Sequence, residues 1–123
     1  MFKIEIGQLE KGRCVVKLYG RLDTITAPTC EEKIQPLLTT TALQVLVFDM
    51  AALEFISSMG LRVVFKTRKT LATQNKALMM VQLQPQIAKV FKIAAALPKE
   101  AIFSSLEEAD RYFAAMQRQA LEQ

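Results

Sequence analysis

Strand-like and helix-like apolar patterns alternate along this chain, and the alternation restricts the folds open to it. Residues 2–6 alternate between apolar and polar side chains, which is the period of a half-buried strand. A turn at 10–12 leads to a second apolar run, 14–19, which is broken by the segment beginning at Gly20. Because the connection between the two runs is so short, we expect an antiparallel hairpin.

Three further apolar runs predict strands between helical segments. Residues 43–48 are apolar on both faces, as a central strand requires when both sides of the sheet are covered, and Asp49 closes this run. Another strand is expected at 78–83. A short edge strand is expected around 102–103, separated from the preceding helix by Pro98.

The first helix has recognisable signals at both ends. Thr26 is the expected N-cap, Pro28 suits the first turn, and the acids at 31–32 favour the positive end of the helix. Pro36 lacks the N–H for the helical hydrogen bond, so we expect it to kink this helix or end it early.

Three more segments have apolar residues at the helical spacing of three and four. One runs from Ser58 to about Gln74 and carries a basic face formed by Arg62, Lys66 and Lys69. The next opens at Pro85. The last follows the capping candidates Ser104 and Ser105, and its apolar stripe consists of Leu106, Ala109, Phe113, Met116 and Ala120.

The resulting order is β-β-α-β-α-β-α-β-α, which predicts an α/β fold. Strands that alternate with helices pair in parallel through right-handed crossovers, and the opening hairpin adds an antiparallel pair. We therefore expect a mixed, mostly parallel sheet of 4–5 strands with about four helices. No repeat or linker interrupts the chain, so a single domain over residues 1–123 is predicted.

The residue content excludes several classes of site. The chain contains no His, so it cannot form a Ser-His-Asp or Cys-His catalytic group or a His-ligated zinc site. Its two cysteines, Cys14 and Cys30, cannot form a four-cysteine metal site and are expected to be reduced and partly buried. The N-terminus lacks a signal-peptide pattern, and no apolar stretch approaches the ~20 residues of a membrane span. We expect a cytoplasmic protein with no membrane partner.

Charge is unevenly distributed along the chain. No acidic residue lies between Glu54 and Glu100, whereas eight basic residues do. This segment favours an acidic protein partner or a phosphate-bearing ligand, or else it is a solvated helix surface. Few aromatic residues lie among these cations and no nucleic-acid-binding motif accompanies them, so no nucleic-acid partner is expected.

Two loops are expected at the carboxyl ends of the strands, where α/β proteins place functional groups: 20–24 and 54–61. In the second loop, Ser57 and Ser58 lie where a helix begins. A serine there can simply cap the helix. It can also receive a phosphate, because a helix N-terminus offers free N–H groups and a positive dipole end.

The residues of this loop resemble those of the STAS domain family of anti-sigma factor antagonists. The resemblance rests chiefly on the run from Leu53 to Val63 after the strand Val45–Asp49, and extends to residues 20–23, 90–93 and 105–109. It covers about residues 3–115, which implies a STAS core there and a C-terminal tail at 116–123.

The resemblance implies a binding protein that phosphorylation switches off. Its partner would be an anti-sigma factor that is also a serine kinase of the histidine-kinase-like ATPase fold, and a metal-dependent serine/threonine phosphatase would restore it. The family's loop reads Asp-Ser-Ser/Thr-Gly-Leu with the first Ser as acceptor. Here that position is Ser58, with Ser57 in place of the Asp, Met59 in place of the second hydroxyl residue, and Ser57 as the alternative acceptor. The implied partner-binding residues are Asp23, Ser57, Met59, Gly60, Arg62 and Lys66.

Two alternatives to this function stay open. The fold can serve as a scaffold or interaction module in a signalling or secretion-control complex, with Ser58 acting only as a cap, and Asp23 can be a turn-forming residue. A small nucleotide enzyme is disfavoured, because the chain has no Gly-rich phosphate loop and no acidic cluster for a metal. We therefore predict a protein that is not an enzyme, that needs no cofactor or metal, and that is a monomer or weak dimer.

Overall fold

The order of strands and helices follows the predicted alternation. A computed structural model describes residues 1–96 and 105–122, and within them an α/β fold with four strands and four helices is present. The predicted edge strand at 102–103, Pro98 and Ser104 lie outside the described residues. The elements are β1 (Phe2–Ile6), β2 (Arg13–Leu22), α1 (Ala27–Leu38), β3 (Val45–Ile56), α2 (Ser58–Thr73), β4 (Ala77–Val81), α3 (Pro85–Ala96) and α4 (Leu106–Leu121).

The four strands form one mixed sheet in the order β1-β2-β3-β4. β1 and β2 pair antiparallel, whereas β2–β3 and β3–β4 pair in parallel, so the predicted hairpin and the predicted parallel pairing are confirmed. The hairpin turn places Lys11 at φ 52° and Gly12 at φ 79°. Two successive positive φ values match the twist of the flanking strands, which explains the tight reversal.

Strands β2 and β3 run further than their apolar patterns indicated. β2 continues through Gly20 to Leu22, and β3 continues past Asp49 to Ile56, so the predicted ends of both strands are wrong. Gly20 bends β2 instead of ending it. Its φ is +83°, and a Cβ there would lie 2.2 Å from the Met1 carbonyl oxygen, so only glycine fits.

Helix α1 passes through its internal proline. Pro36 lies in the last turn and the helix ends two residues later at Leu38, so the expected early end is wrong. The Pro36 carbonyl oxygen, which lies in the last turn, accepts hydrogen bonds from the Thr39 hydroxyl at 3.0 Å and the Thr40 hydroxyl at 2.9 Å. No acid lies in the first turn either, so the acids at 31–32 do not support the helix start.

One hydrophobic core joins the sheet to the helices. Alternate residues of β2, Cys14, Val16 and Leu18, belong to it, and in β3 Leu46, Val47 and Phe48 are all buried as predicted for a central strand. The apolar stripes of α3 and α4 also join the core, through Ile87, Val90, Phe91, Ala109, Phe113 and Met116. Helix α4 remains helical to Leu121, which extends the packed part of the chain beyond residue 115.

Candidate functional site

Strand β3 passes into helix α2 through a single residue, Ser57. This residue is extended, with φ −95° and ψ 177°, and its N–H donates to the Leu22 carbonyl oxygen at 2.9 Å. Its hydroxyl accepts a hydrogen bond from the Gly60 N–H at 3.3 Å. Ser57 is only 4% exposed, so it is the buried N-cap of α2.

Ser58 is the first residue of α2 and has a different environment. It is half-buried, and its hydroxyl donates a hydrogen bond to Oδ1 of Asp110, a residue of α4 that is 52 positions away in the chain. The Ser58 N–H donates to the same oxygen at 3.0 Å. One carboxylate therefore satisfies both a free helix-start N–H group and the hydroxyl beside it.

Asp110 also reaches the loop that follows β2. The Thr24 hydroxyl donates to its other oxygen, Oδ2, at 3.4 Å. The two predicted loops are brought together because Leu22 pairs with Ile56 at the carboxyl ends of β2 and β3. The carboxylate of Asp110 thus connects both loops with α4.

Asp23 shapes the turn before α1. Its Oδ1 accepts hydrogen bonds from the N–H groups of Ile25 at 3.0 Å and Thr26 at 3.1 Å, which is the turn-forming arrangement. Thr26 is in the N-cap position as expected, but its side chain makes no capping bond and instead donates to the Arg21 carbonyl oxygen at 2.8 Å. Asp23 is half-buried, so part of its side chain can still be reached by a partner. Contact with a partner stays a prediction.

Gly60 is buried and Met59 is half-buried, so both residues contribute to packing beneath the loop. A Cβ at Gly60 would be 2.5 Å from the Leu22 carbonyl oxygen and 2.8 Å from Cγ1 of Ile56. The missing side chain therefore lets α2 pack closely on the ends of β2 and β3. Met59 is half-buried and packs against the core.

The predicted basic face of α2 is exposed. Arg62, Lys66 and Lys69 all reach solvent. Lys66 is already paired, because its Nζ lies 3.1 Å from Oε1 of Glu31 on α1. Among the residues that the structure describes, Arg62 forms no ion pair, so its charge is available to a partner at the same end of the helix as Ser58.

Two buried glutamines hydrogen-bond to the end of β3, and no local sequence pattern predicts either contact. Gln117 of α4 is 2% exposed; its Oε1 accepts from the Ile56 N–H at 2.9 Å and its Nε2 donates to the Ile56 carbonyl oxygen at 2.7 Å. Gln86 of α3 donates to the Glu54 carbonyl oxygen at 3.1 Å. These contacts attach the end of β3 to α3 and α4, directly before α2 begins.

The reactive group available at this site is the Ser58 hydroxyl, which its hydrogen bond to Asp110 orients. Within residues 1–96 and 105–122 no group of acidic or cysteine side chains could hold a metal ion. The Ser58 hydroxyl faces a carboxylate, lies at the positive end of a helix, and has a cation one turn away. These features suit a group that accepts a phosphoryl group from another protein.

Comparison with known proteins identifies related sequences and folds. The family model described as STAS domain matches residues 5–109. A comparison with the curated proteins finds no match. None of the helices in the described part of the chain has the length and apolar character needed to cross a bilayer.

Several solved structures share the fold at low sequence identity. An anti-sigma factor antagonist from Mycobacterium paratuberculosis is 23% identical, with a TM-score of 0.67 over 93% of this chain and 95% of that one. The anti-sigma factor antagonist SpoIIAA in its unphosphorylated form is 21% identical, with a TM-score of 0.64 over 89% of this chain and 97% of that one. The Bacillus cell fate determinant SpoIIAA in the phosphorylated form is 20% identical, with a TM-score of 0.64 over 75% and 83%.

Proposed function

This chain belongs to the STAS domain family, and from that premise we propose that it is an anti-sigma factor antagonist. In this proposal the chain catalyses no reaction and works by binding an anti-sigma factor in the cytoplasm. Structures with this fold include antagonists, one of them solved in unphosphorylated and phosphorylated forms. That pair supports a switch governed by phosphorylation.

Ser58 is the proposed phosphate acceptor, and the contrast between the two adjacent serines carries this assignment. Ser57 is 4% exposed and its hydroxyl caps α2, whereas Ser58 is half-buried with a hydroxyl that acts as a donor to Asp110. A kinase reaching Ser57 would have to disrupt the helix start. Reaching Ser58 requires only the exchange of one side-chain hydrogen bond.

The proposed partner is a serine kinase of the histidine-kinase-like ATPase fold, and a metal-dependent serine/threonine phosphatase would reverse the modification. Phosphorylation of Ser58 would add −1.5 to −2 charges, the usual value for phosphoserine, to the surface that also presents Arg62. Kinase binding that uses this basic surface would be weakened by the new charge. The unphosphorylated form would therefore be the form that binds.

A binding measurement tests this switch. Calorimetric titration of the cognate kinase should give at least about tenfold weaker binding for Ser58→Asp than for the unchanged chain. Ser105→Asp is the matched control, because Ser105 is an exposed N-cap of α4 and Asp caps helices equally well. Equal affinities for all three proteins would contradict the proposal.

A scaffold function without a switch is the second candidate. The hydrogen bonds of Ser58 to Asp110 favour it, since they also describe a serine that only fastens α2 to α4. A scaffold would be recovered from its own cells in a large stable assembly with no phosphorylated form. Light scattering after size-exclusion chromatography, together with intact mass, separates this outcome from a monomer or weak dimer that carries phosphate.

A further inference from the structure

We propose that Asp110 couples phosphorylation of Ser58 to the position of helix α4, an inference that rests on Ser58 being the acceptor proposed above. Asp110 is then a positioning residue: it holds the hydroxyl before modification and is expelled by the phosphate afterwards. The residue directly before Ser58 in this chain is Ser57, not an acid. Here the acid beside the acceptor comes instead from α4.

Within the described residues, the groups that donate hydrogen bonds to Asp110 are neutral. Oδ1 accepts from the Ser58 N–H and hydroxyl, and Oδ2 accepts from the Thr24 hydroxyl. These three donors belong to α2 and to the loop between β2 and α1. The carboxylate is half-buried, so the surrounding water screens its charge only in part.

A phosphate on Ser58 would remove one of these contacts and compete with Asp110 for a second. The hydroxyl proton that Asp110 accepts is lost, and phosphate oxygens, like carboxylate oxygens, are acceptors. Both anions then compete for the Ser58 N–H at the positive end of α2. The phosphate is covalently attached there, so the carboxylate is the group that must leave.

If Asp110 leaves these contacts, the N-terminal part of α4 loses its attachment to the Ser58 and Thr24 loops. Asp110 is the fifth residue of α4, and Gln117, seven residues later on the same face, stays hydrogen-bonded to Ile56. We expect the first turns of α4 to separate from the Ser58 and Thr24 loops while the end near Gln117 remains in place. Phosphorylation would thus alter a second surface beyond the serine itself.

Four proteins test this coupling without any kinase. Phosphoserine or serine is placed at position 58 by genetic-code expansion, in chains with Asp110 and with Asp110→Asn. With Asp110, phosphoserine should lower the Tm by roughly 5 °C or more and speed hydrogen exchange of the amides at 107–113 about tenfold or more. With Asp110→Asn, whose amide can donate to phosphate, both effects should largely disappear.

A matched variant separates this effect from general charge. Glu107→Gln removes an exposed acid from the first turn of α4, and it should leave the response to phosphoserine unchanged. If Asp110→Asn does not fold, hydrogen exchange in the chain with Asp110 still decides, because unchanged protection at 107–113 overturns the proposal. Equal responses to phosphoserine in the Asp110 and Asp110→Asn chains also overturn it. If phosphoserine at position 58 does not change kinase binding, the proposed function is wrong. The comparison of the four proteins would still test the role of Asp110.

Discussion

At the scale of single residues, the site depends on how one helix begins. Ser57 and Ser58 are adjacent, but the N-cap residue turns its oxygen inward to the Gly60 N–H whereas the next residue is the first of the helix. The difference in exposure between the two serines follows from this geometry. It gives neighbouring hydroxyls separate roles, one in holding the fold and one proposed for signalling.

Gly60 provides a test of the packing beneath the site. Gly60→Ala places a methyl group 2.5 Å from the Leu22 carbonyl oxygen, so the helix must shift despite the better helix propensity of Ala. We expect the free energy of unfolding in urea to fall by about 2 kcal/mol. Lys69→Ala, at an exposed position of the same helix, should change it by less than about 0.5 kcal/mol. A stabilised Gly60→Ala protein would contradict this packing.

Cys30 provides a test that depends on pH. Burial, and to a smaller extent the neighbouring Glu31, raises the pKa of the Cys30 thiol to about 12. An unfolded thiol loses its proton near pH 8.5–9, so the folded state binds one more proton between about pH 9 and 12 and stability falls there as the pH rises. The stability advantage of the unchanged chain over Cys30→Ala should shrink by about 1 kcal/mol between pH 9 and 10. Parallel pH dependence of the two proteins in urea unfolding would contradict the raised pKa.

The sequence revealed one half of the site. Two serines before a helical stripe predict a helix start, and the structure begins α2 at Ser58. Asp110 was not found, because its contact with Ser58 spans 52 positions and depends on how α4 packs. A local pattern carries no information about such a contact.

At the scale of elements, the helices were predicted better than the strand ends. The starts of α2 and α3 were correct because capping and proline signals are local. β2 and β3 were predicted too short because Gly20 and Asp49 are poor strand residues locally. Parallel pairing between the two strands continues past both residues and overrides that preference.

Gln117 tests how α4 is attached to β3. Gln117→Met keeps the approximate shape of the side chain but leaves the Ile56 N–H and carbonyl groups without these partners. We expect a loss of about 3 kcal/mol in the free energy of unfolding, measured in urea. Gln119→Met, on the exposed side of the same helix, is the control and should be nearly neutral. A loss no larger than that of the control would show that the amide contributes little.

For the molecule as a whole, charge reversal tests whether the basic segment between Glu54 and Glu100 binds a partner or is only a solvated helix surface. If it is a binding surface, Arg62→Glu should weaken kinase binding about tenfold and reduce its dependence on salt. Lys33→Glu makes the same change of charge at an exposed position of α1 and should have a much smaller effect. If the segment is only a solvated helix surface, calorimetry at two salt concentrations will give similar affinities for both variants.

The proposed switch requires that a separate kinase phosphorylates the hydroxyl of Ser58, and intact mass with phosphopeptide mapping measures this modification. After incubation with the cognate kinase and ATP, the unchanged chain should carry one phosphate, on Ser58. Ser58→Ala should carry none, and Ser57→Ala should still be modified although it loses about 1 kcal/mol of helix capping. Full phosphorylation of Ser58→Ala, or a phosphate located on Ser57, would contradict Ser58 as the acceptor.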